Sequence, residues 1–383
     1  MSKKVIYVSW TRLTDRYARD WYINHLIQSG IEVEYWDVVA FTREQHDEFG
    51  ELDVNYLRVV QSLREFESLV QLKENTDAVY VMLMTLTWQS RLPYQLLTKY
   101  NRKMAFIIWG AMPNLPDSIL RRAVSKIITS PSEFFRHAFE LVGLIVLKKI
   151  KLIKPFDIVF SAGSAISISD HFAKKVVPLH LVDYDHYMRV KEDAKRLVNG
   201  KYAVFLDLNL PYQSDFSLTG LQTVKPHDYY QSLNKFFGLL AQQYDVKIVI
   251  AAHPKTSTDS KVFGELEIYR LSTAELVKDA EFVITHHSTS LSYAVLNTKP
   301  CVFIYTNEMD ELYPNCRVAS IKLYASYLDA PVYNIDQISE GSEVLVGAPK
   351  VIRYDDYKFR YLISKESDNK LSQDIFLKEI QLS

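Results

Sequence analysis

Glu281-Phe282-Val283-Ile284-Thr285-His286-His287-Ser288-Thr289-Ser290-Leu291-Ser292-Tyr293-Ala294 runs from a short apolar stretch, through two imidazoles and three hydroxyls, into a segment with helical spacing. An uninterrupted apolar run of this length reads as a strand buried on both faces, the kind found in parallel sheets. Hydroxyls at a helix start cap free N–H groups, and the same N–H groups attract anions. His287, Ser288, Thr289 and Ser290 are therefore candidates for a phosphate cradle; a capped helix beside incidental histidines would use the same residues.

Working outward, the pattern recurs. Lys247 to Ala252 is a second apolar strand, followed directly by His253-Pro254-Lys255. There an imidazole can donate to a phosphate oxygen, proline stiffens the turn and lysine adds charge. A strand-end histidine can equally be structural. The two motifs lie about 30 residues apart, as successive βαβ units require. Tyr202 to Leu206 is a third strand, and Asp207 begins the loop that runs to Asp215. Ligands in open parallel sheets sit beyond the carboxyl ends of strands, so Asp207 is a candidate nucleophile or base, whereas Asp215 reads as solvated.

Further strands are expected at Leu266 to Tyr269 and Cys301 to Tyr305, with helices near His227 to Gln243, Thr273 to Lys278 and Ser290 to Asn297. The N-terminal half alternates in the same way. Strand runs at Val5 to Val8, Ile31 to Trp36, Ala78 to Met84, Met104 to Trp109 and Phe156 to Ser161 are separated by helical stretches. Those stretches lie at 15–29 and about 56–74, 92–101 and 116–147. Two α/β domains of parallel-sheet type follow, with the chain length of 383 residues suiting two of them. Residues 1–199 form the N-terminal domain, with a connector at about 171–199 that includes a strand-like Val176 to Leu181 and a polar turn at Asp183 to Tyr187. Residues 200–345 form the C-terminal domain, and 346–383 an extension that can pack back on the N-terminal domain.

In the N-terminal half, Glu133 within Ser130-Pro131-Ser132-Glu133 is a candidate acid or base, although the motif is also an ordinary helix start. The stretch His137 to Lys154 mixes Leu141, Val142, Leu144, Ile145, Val146 and Leu147 with four lysines. It fits a helix on an anionic membrane surface near a lipid-linked acceptor, and it also fits a core helix with snorkelling lysines.

Composition sets limits. Apolar residues make up 48% and charged ones 24%, a globular balance, and the net charge of −1 supplies no field to draw nucleic acid. Met1-Ser2-Lys3-Lys4 leads straight into a strand without a signal region, and no run reaches the roughly 18 apolar residues of a spanning helix, so a cytoplasmic location is expected. Cys301 and Cys316 are too few for a disulfide framework. Asp183-Tyr184-Asp185 is the single Asp-x-Asp near a strand end and reads as a connector turn; neither a metal nor a cofactor is expected.

The histidine-proline pair followed by a serine-threonine cluster resembles bacterial transferases that use CMP-activated sialic acid or Kdo. Phe205-Leu206-Asp207-Leu208-Asn209-Leu210-Pro211-Tyr212, Asp228 to Asn234 and Ile250 to Lys255 are similar, more closely, to the retaining beta-Kdo glycosyltransferases of O-antigen and capsule assembly. The resemblance is strongest over residues 200–306. It implies a GT-B-like fold of two Rossmann-like domains facing a central cleft, a CMP-Kdo donor and a glycan acceptor. It also implies a covalent aspartyl intermediate at Asp207, with His253 and Ser288 to Ser290 holding the phosphate and cytidine and Glu133 as acid or base. The N-terminal half lacks the acidic-acidic-glycine motif of many bacterial sialyltransferases, which speaks against an inverting enzyme of that kind. A polyol-phosphate transferase using CDP-glycerol, or a GT-B-like scaffold without activity, are the competing expectations.

Overall fold

A computed structural model describes residues 3–42, 52–109, 112–113, 131–165, 172–193, 195–213, 222–253, 261–339, 341–367 and 369–383. The chain divides into two compact units. The first comprises Met1–Ala111, Pro116–Val182 and Ser364–Ser383, and the second is built on Asp183–Ile363.

The first unit holds strands β1 (Lys4–Ser9), β2 (Glu32–Asp37), β3 (Leu57–Val59), β4 (Val79–Met82), β5 (Lys103–Ile108), β6 (Ile158–Ala162) and β7 (Val176–Leu179). They form one parallel sheet in the order β3-β2-β1-β4-β5-β6-β7. Successive side chains of a strand point to opposite faces, and both faces are apolar here. Val5, Tyr7, Tyr35 and Phe160 enter one core layer; Ile6, Val8, Trp36 and Tyr80 enter the other. The first of these layers also contains Phe376 and Ile380, from the helix Ser372–Leu382 near the end of the chain.

In the second unit lie β8 (Tyr202–Leu206), β9 (Lys247–Ala252), β10 (Glu267–Arg270), β11 (Val283–Thr285), β12 (Cys301–Tyr305) and β13 (Val332–Asn334). All pair in parallel, in the order β10-β9-β8-β11-β12-β13. This is the 3-2-1-4-5-6 arrangement of a doubly wound dinucleotide-binding sheet, whose strand order reverses between its first and fourth strands. Here those strands are β8 and β11.

Several sequence expectations are corrected. The division between units falls at Val182/Asp183 rather than near residue 200, and residues up to Ile363 belong to the second unit. Asp183 to Tyr187 is not a turn but lies in the helix Val182–Glu192. The helix expected at 56–74 is shorter, Leu63–Gln71, because Ser62 caps it by accepting from the Glu65 N–H at 3.2 Å and β3 occupies the residues before. The stretch 15–29 is two helices, Asp15–Asp20 and Ile23–Gln28, interrupted at Tyr22 with φ 61°. The last long helix of the first unit is Pro131–Lys149; the part expected before it lies outside the described residues.

Candidate active site

The register of the second sheet sets Leu206 of β8 beside Thr285 of β11 on one side and Ala251 of β9 on the other. Asp207, His286 and His253 are the residues that emerge next, or next but one, from these three neighbouring strands. They sit at the carboxyl edge where a doubly wound sheet offers its crevice.

Asp207 is 4% exposed. Its N–H donates to the Ala251 carbonyl at 3.1 Å, Oδ1 accepts from the Asn209 N–H at 2.8 Å and Oδ2 from the His253 N–H at 3.4 Å. The Oδ1 bond closes an Asx turn, and Asn209 adopts the left-handed φ of 51° that asparagine tolerates better than most residues. The carboxylate thus ties the end of β8 to the end of β9. Its charge is felt above it, on the helix Pro226–Tyr244: burial, and secondarily Asp207, push the Tyr229 and Tyr230 phenols well above their ordinary range.

The two consecutive imidazoles differ. His286 is fully buried; its Nδ1 donates to the Ile304 carbonyl of β12 at 2.7 Å, so Nε2 accepts from the Tyr229 hydroxyl at 2.9 Å. Burial lowers its pKa to about 4. It is a neutral strut between β11, β12 and the helix above. His287 is partly exposed and faces Arg317, whose Nη1 lies 3.4 Å from Nε2. A guanidinium only donates, so Nε2 is the acceptor and the proton of the neutral ring resides on Nδ1. That Nδ1–H is buried and has no hydrogen-bond partner among the described residues. Burial, then the positive Arg317, then His286 lower the His287 pKa to about 3. An unmatched donor beside a guanidinium is the local chemistry of an anion site.

Ser288 to Ser290 complete the turn. Ser288 is buried and its Oγ accepts from the Ser290 N–H at 3.2 Å, while its carbonyl takes the Leu291 N–H at 3.1 Å. Ser290, the residue before the helix, makes no side-chain cap; its own N–H is taken by Ser288. Thr289 is exposed and Ser290 partly so. The helix that follows, Leu291–Leu296, has six residues. A helix so short carries a weak dipole, which leaves anion binding to side chains.

Beneath this turn, the Ser292 hydroxyl donates to Asp183 Oδ2 and the Tyr293 hydroxyl to Oδ1 at 3.3 Å. Tyr293 also meets His186 Nδ1 at 3.2 Å, and His186 Nε2 lies 3.4 Å from Glu275. The hydrogen bond from His186 is the leading cause of a lowered Glu275 pKa. Asp183 is thus engaged in anchoring the helix Leu291–Leu296 to the helix Val182–Glu192.

Of the residues singled out by sequence, the structure brings together Asp207, His253, His287, Ser288, Thr289 and Ser290 on neighbouring strand ends. Pro254 and Lys255 lie outside the described residues. Glu133 lies on the helix Pro131–Lys149 of the first unit, and its side chain is likewise outside the description. Arg317, in the π-helical turn Pro314–Val318, and the role of Tyr229 were not anticipated.

No sequence-family profile and no curated protein matches the chain. Solved structures do match its fold. The glycotransferase of kitacinnamycin is similar over 100% of both chains with 11% identity and a TM-score of 0.51. The glycosyltransferase SnogD from Streptomyces nogalater also covers 100% of both chains, at 12% identity and a TM-score of 0.49. The wall teichoic acid polymerase TagF matches 99% of this chain and 88% of its own, with 11% identity and a TM-score of 0.47. The fold is GT-B-like. At such identities the likeness concerns the path of the backbone, and residue roles rest on the geometry above.

Proposed function

We propose that the chain is a glycosyltransferase whose second unit binds the phosphate of a nucleotide-activated sugar. The observation that carries this is the juxtaposition, at the reversal point between β8 and β11, of Asp207 with a buried, unmatched His287 Nδ1–H beside Arg317. Both cationic and neutral donors there are fixed before any ligand arrives, which suits stabilisation of charge growing on a departing phosphate. The exposed Thr289 hydroxyl and the partly exposed Ser290 supply further donors at the rim.

The donor we favour is a CMP-linked ulosonic acid such as Kdo, on the strength of the sequence resemblance over residues 200–306. In this reading, the bond from the anomeric carbon to the phosphate oxygen breaks with its electron pair leaving on CMP, and an Asp207 carboxylate oxygen bonds to that carbon. An acceptor hydroxyl of a surface glycan then displaces Asp207, its proton passing to a base for which Glu133 is the candidate. Two displacements give net retention. A second reading draws on the engagement of both Asp207 oxygens by backbone N–H groups and its 4% exposure. That arrangement suits a positioning carboxylate, and with it a donor that reacts at phosphorus, such as CDP-glycerol.

Replacing Asp207 by Asn decides between them. The covalent reading expects loss of transfer with CMP binding kept, and a sugar adduct on Asp207 in intact mass spectra of wild-type enzyme mixed with donor alone. Turnover of CDP-glycerol, without turnover of any CMP-sugar and without an adduct, selects the second.

A further inference from the structure

The helix Pro131–Lys149 of the first unit is the reverse of a globular surface helix. Phe135, Phe139, Leu141, Val142, Ile145 and Val146 are all exposed, the two phenylalanines by 68% and 67%. Phe135, Phe139, Val142 and Val146 follow the 4-3-4 spacing of one helical stripe, and Leu141 with Ile145 widens it on one side. Ile150 and Leu152, just beyond the helix, prolong the apolar band, with Lys151 between them in a left-handed conformation at φ 60°. The helix rests on its unit by a narrow seam. Leu144 and Leu147 pack on the core, and Gly143 lies so close against Trp88 that a Cβ there would stand 2.5 Å from the ring. At 1.5 Å rise per residue the band from Phe135 to Val146 is roughly 17 Å long within the helix, and Ile150 and Leu152 carry it further, more apolar surface than a soluble face normally presents.

The charges around the band indicate what it meets. Between Pro131 and Lys154 the sequence has five basic residues and two acidic ones, in a chain whose net charge is −1. Arg136, Lys149 and Lys151 are exposed. Lys154, by contrast, is held by Asp157 at 3.0 Å, and Lys148 lies over the Phe172 ring at 4.6 Å. Protein interfaces are depleted in lysine. Phenylalanine and leucine on one face with lysine and arginine at the edge is the composition of a helix lying flat in a bilayer interface. Among the described residues, no helix is long and apolar enough to cross a membrane.

We propose that residues 135–152 dock the protein onto the surface of an anionic bilayer, the apolar band entering the boundary between headgroups and acyl chains and Arg136, Lys149 and Lys151 meeting lipid phosphates. The full chain should co-sediment with vesicles of phosphatidylglycerol and phosphatidylcholine, and much less with phosphatidylcholine alone. Val142→Asp with Ile145→Asp should abolish sedimentation while the thermal melt is unchanged, because both side chains already face solvent. Lys149→Gln and Lys151→Gln, which disturb no apolar contact, should each weaken binding to the anionic vesicles about fivefold; this pair keeps the test open should the aspartate variants misfold. Absence of binding to anionic vesicles, or equal binding to both vesicle types unaffected by the lysine variants, overturns the proposal. So does a wild-type dimer in sedimentation velocity that the aspartate variants dissociate while vesicles bind neither form, since the band would then cover a second copy.

Discussion

His286 has both ring nitrogens occupied, by Ile304 and Tyr229, and charging it costs one of these bonds as well as its desolvation. Its folded pKa of about 4 lies below the unfolded value near 6.5. The unfolded chain therefore binds more protons in that interval. The stabilisation is complete above about pH 6.5 and is lost as pH falls toward 4, a difference of about 3 kcal/mol. Urea denaturation should show this slope between pH 7 and pH 4.5. His286→Gln, whose amide can still donate and accept, should reduce the slope and leave the share contributed by His287, whose pKa is also lowered; an unchanged slope would assign the effect elsewhere. At His287 the expected loss is in binding. Removing a donor to a charged phosphate costs about 1.5–3 kcal/mol, so His287→Ala should weaken CMP roughly 10- to 100-fold in calorimetry without a large change in melting temperature. Asp207 and His253 were visible in the sequence because each follows an apolar run directly, and Ser288 to Ser290 because they close a polar cluster between such a run and a helix. Arg317 was not, since it sits in a turn of irregular backbone between the helix Asn307–Leu312 and the helix Ala319–Leu328, where no periodic signal marks it. Tyr229 lay within the stretch Asp228 to Asn234 that carries the resemblance, but no pattern in the sequence gave it a role of its own.

Among the elements, the anchor beneath the His287 turn is open to a direct test. Asp183 accepts from both Ser292 and Tyr293. In Asp183→Ala two hydroxyls lose their acceptor, with an expected cost of about 1–3 kcal/mol, read as a lower melting temperature, together with weaker nucleotide binding because the turn loses its footing. Full stability with full affinity in this variant would show the anchor to be idle. Most of the strands read from sequence were apolar runs buried in a parallel sheet. The two that escaped, β3 and β13, are three-residue edge strands with exposed positions, Leu57–Val59 and Val332–Asn334, and carry no such run. The break between Asp15–Asp20 and Ile23–Gln28 escaped for another reason. Tyr22 takes a left-handed backbone to place its ring 5.7 Å from Trp109 and 5.4 Å from Phe376. Tertiary packing there overrides local periodicity.

For the whole molecule, the deciding feature is that the first unit is made from both ends of the chain. Phe376 and Ile380 are fully buried in its core, and the Phe376 ring packs against that of Phe160 at 4.7 Å between centroids, tilted by 51°. Phe376→Ala should cost about 3–5 kcal/mol, a large share of the 5–15 kcal/mol that holds a domain. In calorimetry it should lower the transition of the first unit and leave that of the second in place; equal loss in both would contradict the division. Ending the chain at Ile363 should leave only the second unit folded. The same arrangement reverses the usual order of events on the ribosome. Synthesis at roughly 5–20 residues per second separates the completion of β7, at Leu179, from the appearance of Phe376 by about 10–40 s. During that interval the nascent first unit carries an uncovered hydrophobic groove beside Phe160 and Tyr22, while the whole of the second unit, inserted within it, emerges. The later half of the protein is thus equipped to mature first, and the earlier half to wait for the tail that closes it.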